Sequence, residues 1–433
     1  MKKNKFILKL LRSPRTIRSL LLRIVFQIKR FLYANKNYIR NQINLIILKI
    51  KYKLKIINKI KISFFVVHAS TWNKIDSIYQ VLKNSSIFDV SIVICPVVDY
   101  GVDNMLQKMN EFAIYFQEKG YKYQLGYDCK TEKYLDVKKY INPDVIFYNN
   151  PYKGLIHDDF YIDNFLHKLT CYVPYYFGEL SDEFLFNLDF HNKVWRYYLD
   201  SESNMELYNK KLGFKRKNHK VVGYSMFDNK YKKTKNTNFK KTIIWSPHHS
   251  ISQSFALKSD SFILLSTFMI KMIEKYPEVY FVFRPHPLLK TKLYNHNDWG
   301  KYKTDDYYSR WNTYVNSRLS EEPDYRDLFY SSDALIHDCA SYRIEYLITL
   351  NRVLFIGEKP SDNISSEIGI NAMNCHEFAQ NTQQVEQFIL SVLDSSEDKL
   401  YNKKEIFVEK YLLPYKGNMA SYNVFSDLKE KLL

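Results

Sequence analysis

From Ile62 onward, short apolar runs alternate with stretches of helical spacing, and this restricts the possible folds more than any other feature of the chain. The runs ISFFVVH (62–68), VSIVICP (90–96), DVIFYN (144–149), LTCYVPYYF (169–177) and HKVVGY (219–224) are rich in β-branched and aromatic residues, as strands are. Helical stretches at 73–83, 103–119 and 131–140 fall between the early ones. Strands apolar on both faces and separated by helices predict a parallel sheet covered on both sides.

A polar, basic stretch without periodicity, DNKYKKTKNTNFKK (228–241), interrupts the alternation, and residues 229–241 read as a linker. Behind it TIIWS, VYFVF, DALIH and RVLFIG supply four further strands. Helices are expected near 258–275, 325–331, 340–350 and 383–395, with a final helix near 419–432. The expected class is α/β, with two doubly wound, Rossmann-like domains facing each other across a cleft. The first spans 62–228, and the second spans 242–433 with the final helix.

In such sheets ligands sit beyond the carboxyl ends of the strands. Of only 11 histidines, His248 and His249 follow one strand and His286 follows the next. No GxGxxG or GxxxxGK[ST] occurs, and the chain has only 11 glycines, so dinucleotide and P-loop readings lack their motif. Phosphate would have to be held by helix N-termini and by cationic or imidazole side chains. The stretch SSDALIHDCASYRIEYLITLNRVLFIG (331–357) offers a strand, a polar turn and a helix opening around Ala340 and Ser341, where Ser341 and free backbone N–H groups would hold a diphosphate. Glu345, one turn later, would accept from ribose hydroxyls. In FRPHP (283–287), Arg284 is a bidentate phosphate clamp in principle, and two prolines fix His286.

Plainer readings compete with each of these. A serine at a helix start serves as a cap, and a proline-rich turn or a lone histidine serves structure alone. A metal site at the histidines is disfavoured, because adjacent residues in an extended loop point opposite ways and no HxH or HxxxH spacing occurs. Ser-His-Asp hydrolysis lacks a GxSxG elbow. The five cysteines are scattered and unpaired in spacing, which fits a reducing cytoplasm and supports neither a disulfide framework nor a zinc ribbon.

Charge is distributed unevenly. Residues 1–61 hold 18 Lys and Arg and no acid, while the remaining 46 basic and 46 acidic residues cancel, so the whole formal charge of +18 lies in this arm. Within 17–32, Ile17, Leu20, Leu21, Ile24, Ile28 and Leu32 recur at helical spacing, with Arg18, Arg23, Lys29 and Arg30 to the other side. A basic amphipathic helix on an anionic leaflet fits, against the alternatives of domain packing and nucleic-acid binding. ILKIKYKLKII (47–57) alternates with period two and is open to a strand reading. The arm is expected to be removable with the fold kept. It is neither a signal peptide nor a transmembrane span, because charges interrupt every apolar run.

RPHP, followed about forty residues later by DYRDLFYSSDALIHDCASYRIEYL, resembles the CDP-glycerol glycerophosphotransferase family of teichoic-acid and capsule enzymes. The matching positions are Arg284, His286, Pro287, Asp327, Leu328, Ser332, Asp333, Leu335, Ile336, Asp338, Ser341 and Tyr346, with Glu345 where the family has Asp. VVGYSMFD (221–228) is similar to the family's G-Y-P-R-x-D turn, with Ser225 and Met226 in place of Pro-Arg. IIWSPHHS and PYKGNMASYNVF resemble further family segments. The resemblance covers about 220–425 and implies a GT-B fold, peripheral on the cytoplasmic inner face of a bacterial cell membrane.

The same resemblance implies a transferase that moves a polyol-phosphate from a CDP-linked donor to a hydroxyl of a lipid-linked or growing surface polymer, with no cofactor, no metal and no nucleic-acid partner. The donor would be held in the second domain by Arg284, Asp338, Ala340, Ser341 and Glu345, and the acceptor would lie on the first. Departures concern the base. The family's W-H-G-T-P loop is absent, and CYVPYYFGEL (171–180) stands nearest to it. Ala340 replaces a phosphate-binding serine. The catalytic candidates are His286, His248, His249 and Glu179, and the base is open among His248, His249 and Glu179. A GT-B glycosyltransferase using a nucleotide sugar, and a non-catalytic membrane or nucleic-acid binder, are the alternatives.

Overall fold

The computed structural model describes residues 15–99, 101–179, 182–228, 238–251, 261–358 and 366–433. Two parallel sheets organise them. The first is built from β1 (Ile60–Val66), β2 (Phe88–Ile94), β3 (Gln124–Leu125), β6 (Val145–Tyr148), β7 (Leu169–Tyr172), β8 (Arg196–Leu199) and β9 (His219–Val221), while β4 (Tyr127–Asp128) and β5 (Lys133–Tyr134) form a small antiparallel pair. Strand order is β3-β2-β1-β6-β7-β8-β9. The second sheet contains β10 (Lys241–Ser246), β11 (Val279–Phe283), β12 (Ser317–Leu319), β13 (Ala334–His337), β14 (Arg352–Ile356) and β15 (Glu377–Ala379), in the order β12-β11-β10-β13-β14-β15.

In each sheet the first strand pairs on both sides, β1 with β2 and β6, and β10 with β11 and β13. Strand order reverses at these points, which places a crevice beyond the ends of β1 and β6 and another beyond β10 and β13. Every residue of β6, β7, β8 and β13 is buried, because helices cover both faces. Consecutive residues serve opposite cores. Phe64 packs with Phe147, Trp72 and Tyr79, whereas Phe65 packs with Tyr148, Phe160 and Phe165. In the second sheet Trp245 stacks on Phe283 and Phe262 on one face, and Ile244 and Leu335 serve the other. Each such side chain contributes about 1.5–3 kcal/mol of burial.

The helices include α1 (Arg15–Lys53), α2 (Asp76–Lys83), α3 (Val102–Glu118), α4 (Glu202–Leu212), α5 (Ser261–Lys275), α6 (Thr382–Leu393) and α7 (Ala420–Leu432). Local chemistry sets their ends. The Ser201 hydroxyl accepts from the Asn204 N–H at the start of α4, and Gly213 closes it at φ 76°, a left-handed value that favours glycine.

Several expectations are corrected. The period-two stretch at 47–57 continues α1 as far as Lys53, because Leu48 faces the protein while Ile46, Ile47 and Ile50 face outward. Nor is the arm separable. Leu45 and Leu48 belong to the core of the first sheet, and Asn44 donates to the carbonyls of Leu166 (3.0 Å) and Lys168 (3.3 Å). Asn41 and Arg40 donate to the Lys193 carbonyl.

The final helix, expected with the second domain, packs instead on the first. Val424, Leu428 and Leu432 enter the same core as Ile78 and Phe88. Asp228 caps the helix by accepting from the N–H groups of Ala420 (2.7 Å) and Ser421 (2.8 Å), and buried Asp427 accepts from Arg196 Nε (2.8 Å) and the Tyr198 hydroxyl (3.0 Å). The expected helix at 131–140 is β5 followed by a turn of helix at Val137–Tyr140. Residues 258–260, and the linker positions 229–237, lie outside the described residues, and Lys241 already belongs to β10.

Candidate active site

The crevice beyond β10, β11 and β13 gathers the three histidines. The chain leaves β10 at Ser246 and bends, with the Ile251 N–H donating to the His249 carbonyl at 3.0 Å. His248 and His249 therefore lie on the same side, with ring centroids 4.1 Å apart, and the expectation that they point apart is corrected. His286 joins them, 4.3 Å from His249 and 5.1 Å from His248. Its backbone N–H donates to the Pro247 carbonyl (3.0 Å), which ties the β11 loop to the β10 loop.

Nitrogen atoms of the three rings lie within 4.8 Å of one another, a spacing a metal ion would accept. Proton placement argues otherwise. The Ser250 backbone N–H donates to His248 Nδ1 (3.2 Å), and the Leu288 backbone N–H donates to His286 Nδ1 (3.1 Å). Each Nδ1 is thus an acceptor, so in the neutral ring the proton sits on Nε2. Two of the three rings present N–H donors rather than lone pairs, which suits an anion. His249 differs, because its Nδ1 is buried and has no hydrogen-bond partner among the described residues.

Burial and the neighbouring rings lower the pKa of His286 to about 3, and burial, then His249 and Lys292, lower that of His248 to about 4. His249 is lowered as well, by burial and Lys292. The cluster is neutral at pH 7 and close to a lysine. A bound phosphate would supply the missing negative charge.

The other expected donor residues divide. Ser341 is exposed and its hydroxyl makes no capping bond, so it is free to meet a ligand, and Ala340 is half-buried beside it. The helix they open is only Tyr342–Glu345, continued as a 3-10 turn over Tyr346–Thr349 that ends at Leu350 with φ 58°. Asp338 is a positioning group. It accepts from the His248 backbone N–H and from Ser261 Oγ (2.7 Å), fixing the histidine loop to the start of α5, and burial raises its pKa to about 6.

Arg284 is 6% exposed, and its guanidinium donates to Tyr342 Oη (3.2 Å), Ser320 Oγ (2.9 Å) and the Glu322 carbonyl (2.8 Å). It braces the site from behind and does not offer a free phosphate clamp. Glu345 is fully buried. Lys74 (2.6 Å) and Tyr224 (2.8 Å) donate to Oε1, and Tyr325 donates to Oε2, so neither oxygen is open to ribose in this conformation.

Glu179, in the loop after β7, lies at the junction of the two domains. It is 6% exposed, neither carboxylate oxygen has a hydrogen-bond partner among the described residues, and burial raises its pKa to about 8, opposed by Arg343, whose guanidinium lies 3.5 Å away. Its carbonyl accepts from the Ser366 N–H (2.8 Å), joining the two domains.

Two residues of this region escaped sequence reasoning. Arg343 lies between Ser341 and Glu345 in the SYRIEY segment, and its charge acts on Glu179, Asp338 and His248. That position in the segment was the available signal. Lys74 gave no signal, because its partner Glu345 lies 271 residues away.

No family model matches this chain, and no curated protein matches it. Solved structures do. The chain superposes on Staphylococcus aureus MnaA bound to UDP with a TM-score of 0.56 at 12% identity, covering 86% of this chain and 97% of that one. UDP-GlcNAc 2-epimerase of Neisseria meningitidis bound to UDP-GlcNAc gives 0.51 at 12% identity, over 86% and 100%. A variant of the wall teichoic acid polymerase TagF gives 0.55 at 14% identity, over 94% and 99%. With two parallel, doubly wound sheets meeting at a crevice, the chain has a GT-B-like fold, shared with both the epimerases and the teichoic acid polymerase.

Proposed function

We propose that this protein is a transferase that moves a polyol-phosphate, of the glycerol- or ribitol-phosphate type, from a CDP-linked donor to a hydroxyl of a lipid-linked or growing cell-surface polymer. The carrying observation is the neutral three-histidine cluster at the switch point of the second sheet, in two of whose rings Nδ1 accepts from a backbone N–H and the proton is left on Nε2. The motif resemblance and the fold shared with a teichoic acid polymerase support the same reading.

In this reading the Nε2–H groups of His248 and His286, with the Ser341 hydroxyl, hold the diphosphate, and Lys292 adds positive charge. Stabilising the charge spread over the phosphoryl oxygens is the main requirement of phosphoryl transfer. The acceptor oxygen bonds to the β-phosphorus, the bond from that phosphorus to the bridging oxygen breaks, and CMP leaves with the electron pair. The acceptor proton goes to His249, the ring whose Nδ1 is untied, and the arriving phosphate raises its basicity. Glu179, with its raised pKa, is protonated at neutral pH and serves as a donor to the acceptor rather than as the base. The reading needs no cofactor.

The acceptor surface follows from α1. Ile39, Ile43, Ile46 and Ile50 share one face at i, i+4, i+7 and i+11, each at least half exposed, on a helix without a single acid. Such a face suits the inner leaflet of an anionic membrane. Among the described residues no helix is long and apolar enough to cross one.

A thermal-shift screen of CMP, CDP, CDP-glycerol, CDP-ribitol, UDP-sugars and GDP-sugars tests the assignment. A ligand that binds only the folded state at a hundredfold excess over its Kd adds about 2.7 kcal/mol. Cytidine ligands should stabilise the wild type and lose their effect in His286→Ala. Stabilisation by a nucleotide sugar alone would assign the site to a glycosyltransferase.

A further inference from the structure

Where α1 crosses the first domain it leaves a shallow recess, lined by Asn35 and Tyr38 from the helix and by Phe214, Lys215, Arg216 and Lys217 from the loop after α4. Arg216 is a buried cation, 6% exposed, held by the Phe186 carbonyl (3.4 Å) and Asn187 Oδ1 (2.6 Å). Its Nε has no hydrogen-bond partner among the described residues. The acid whose charge reaches it, Glu183, is paired with Arg30 at 3.0 Å. Lys215 and Lys217 are exposed, form no ion pair among the described residues, and Lys217 stands over the Tyr38 ring at 5.1 Å. Three consecutive cations therefore border one recess without a carboxylate, and a buried charge left unpaired is costly.

The recess opens at the edge of the apolar face. Asn35 lies three residues after Leu32 and four before Ile39, so both are its neighbours on the helix surface, and they are 60% and 59% exposed. With the apolar face of α1 at the acyl boundary, the recess lies at headgroup depth. We infer that it binds the phosphate of an anionic lipid headgroup, which completes the charge of Arg216 and fixes the depth and rotation of α1 on the bilayer. This rests on the reading of α1 as the membrane face.

The test uses the full chain and co-sedimentation with vesicles of phosphatidylcholine alone or with added phosphatidylglycerol. Lys215→Glu with Lys217→Glu should lower affinity for the phosphatidylglycerol vesicles by about tenfold or more, and leave binding to phosphatidylcholine unchanged. Lys51→Glu with Lys53→Glu makes the same charge change at the end of α1, away from the recess, and should cost clearly less. Equal losses in the two pairs would reduce the site to diffuse charge and overturn it, as would an unchanged preference for phosphatidylglycerol. Arg216→Lys, which keeps the charge without the fork, should retain the fold and part of the preference. Ile43→Asp with Ile47→Asp should lose both kinds of vesicle. Wild-type binding by that variant would instead overturn the membrane reading itself. Millimolar inorganic phosphate that displaces the protein from phosphatidylglycerol vesicles at constant ionic strength would point to a soluble phosphate and overturn the lipid assignment.

Discussion

Two polar clusters lie near the junction of the domains, and they are built on opposite principles. In the first, Lys74, Tyr224 and Tyr325 saturate both oxygens of Glu345, and Lys74 and Glu345 are 3% and 0% exposed. In the second, His248, His249 and His286 are half-buried and neutral, backbone N–H groups hold Nδ1 of His248 and His286, and Nδ1 of His249 has no hydrogen-bond partner among the described residues. A saturated cluster holds structure together, whereas an unanswered one waits for a ligand. Sequence reasoning put both Glu345 and His286 in the site, Glu345 on the donor ribose and His286 among the catalytic candidates. Hydrogen-bond accounting separates them.

The sharpest way to break this contrast is to remove one partner of the saturated pair. Lys74→Ala leaves Glu345 buried and uncompensated, and should destabilise the protein by about 3–5 kcal/mol in a denaturant titration. Lys74→Met combined with Glu345→Leu should recover most of the loss. A Lys74→Ala protein of wild-type stability would show that the pair does not pin the domains.

The complementary substitution is His286→Ala, which should slow CMP release from CDP-glycerol about a hundredfold or more while the melting temperature moves little. His337→Ala is the contrast. That ring is fully buried beside Phe355 and His376, so its loss should appear in stability first.

Glu179 sharpens the comparison through pH. Its folded pKa of about 8 exceeds the ordinary 4.5, so the folded chain holds the proton more tightly than the unfolded chain does. The stability linked to that proton is fully present below about pH 4.5 and is lost as pH rises through 8. Each tenfold difference in proton affinity between the two states is worth about 1.4 kcal/mol. Glu179→Gln should therefore match the wild type at pH 4.5 and exceed it by a few kcal/mol at pH 8. Parallel stability curves would show that the carboxyl is ionised in the folded protein. The smallest effect belongs to a partly exposed pair, where Arg30→Ala breaks the 3.0 Å contact to Glu183 and should cost under about 1 kcal/mol.

The legible part of the molecule was whatever depends on neighbours in sequence. TIIWS, VYFVF and DALIH revealed central strands because burial on both faces leaves a run of apolar residues. The histidines could be placed because strand ends are visible. Strand β8, with the sequence RYYL, was passed over because Arg196 begins it, and that arginine is buried only because Asp427, 231 residues away, receives it. The pairing of Lys74 with Glu345 was hidden for the same reason. The turn that brings His248 beside His249 was illegible because it depends on Asp338 and Ser250 holding the loop, and an extended geometry was the default.

The return of α7 to the first sheet sets an order on how the chain can fold as it is made. The first sheet's strands leave the ribosome early, yet the surface that Val424, Leu428 and Leu432 cover stays exposed until the second domain has also been synthesised. Asp228 waits equally long for the helix end it caps. The first domain therefore reaches its final packing only after the second has emerged, and a chain cut short before residue 420 would present an open apolar face to the cell's proteases and chaperones.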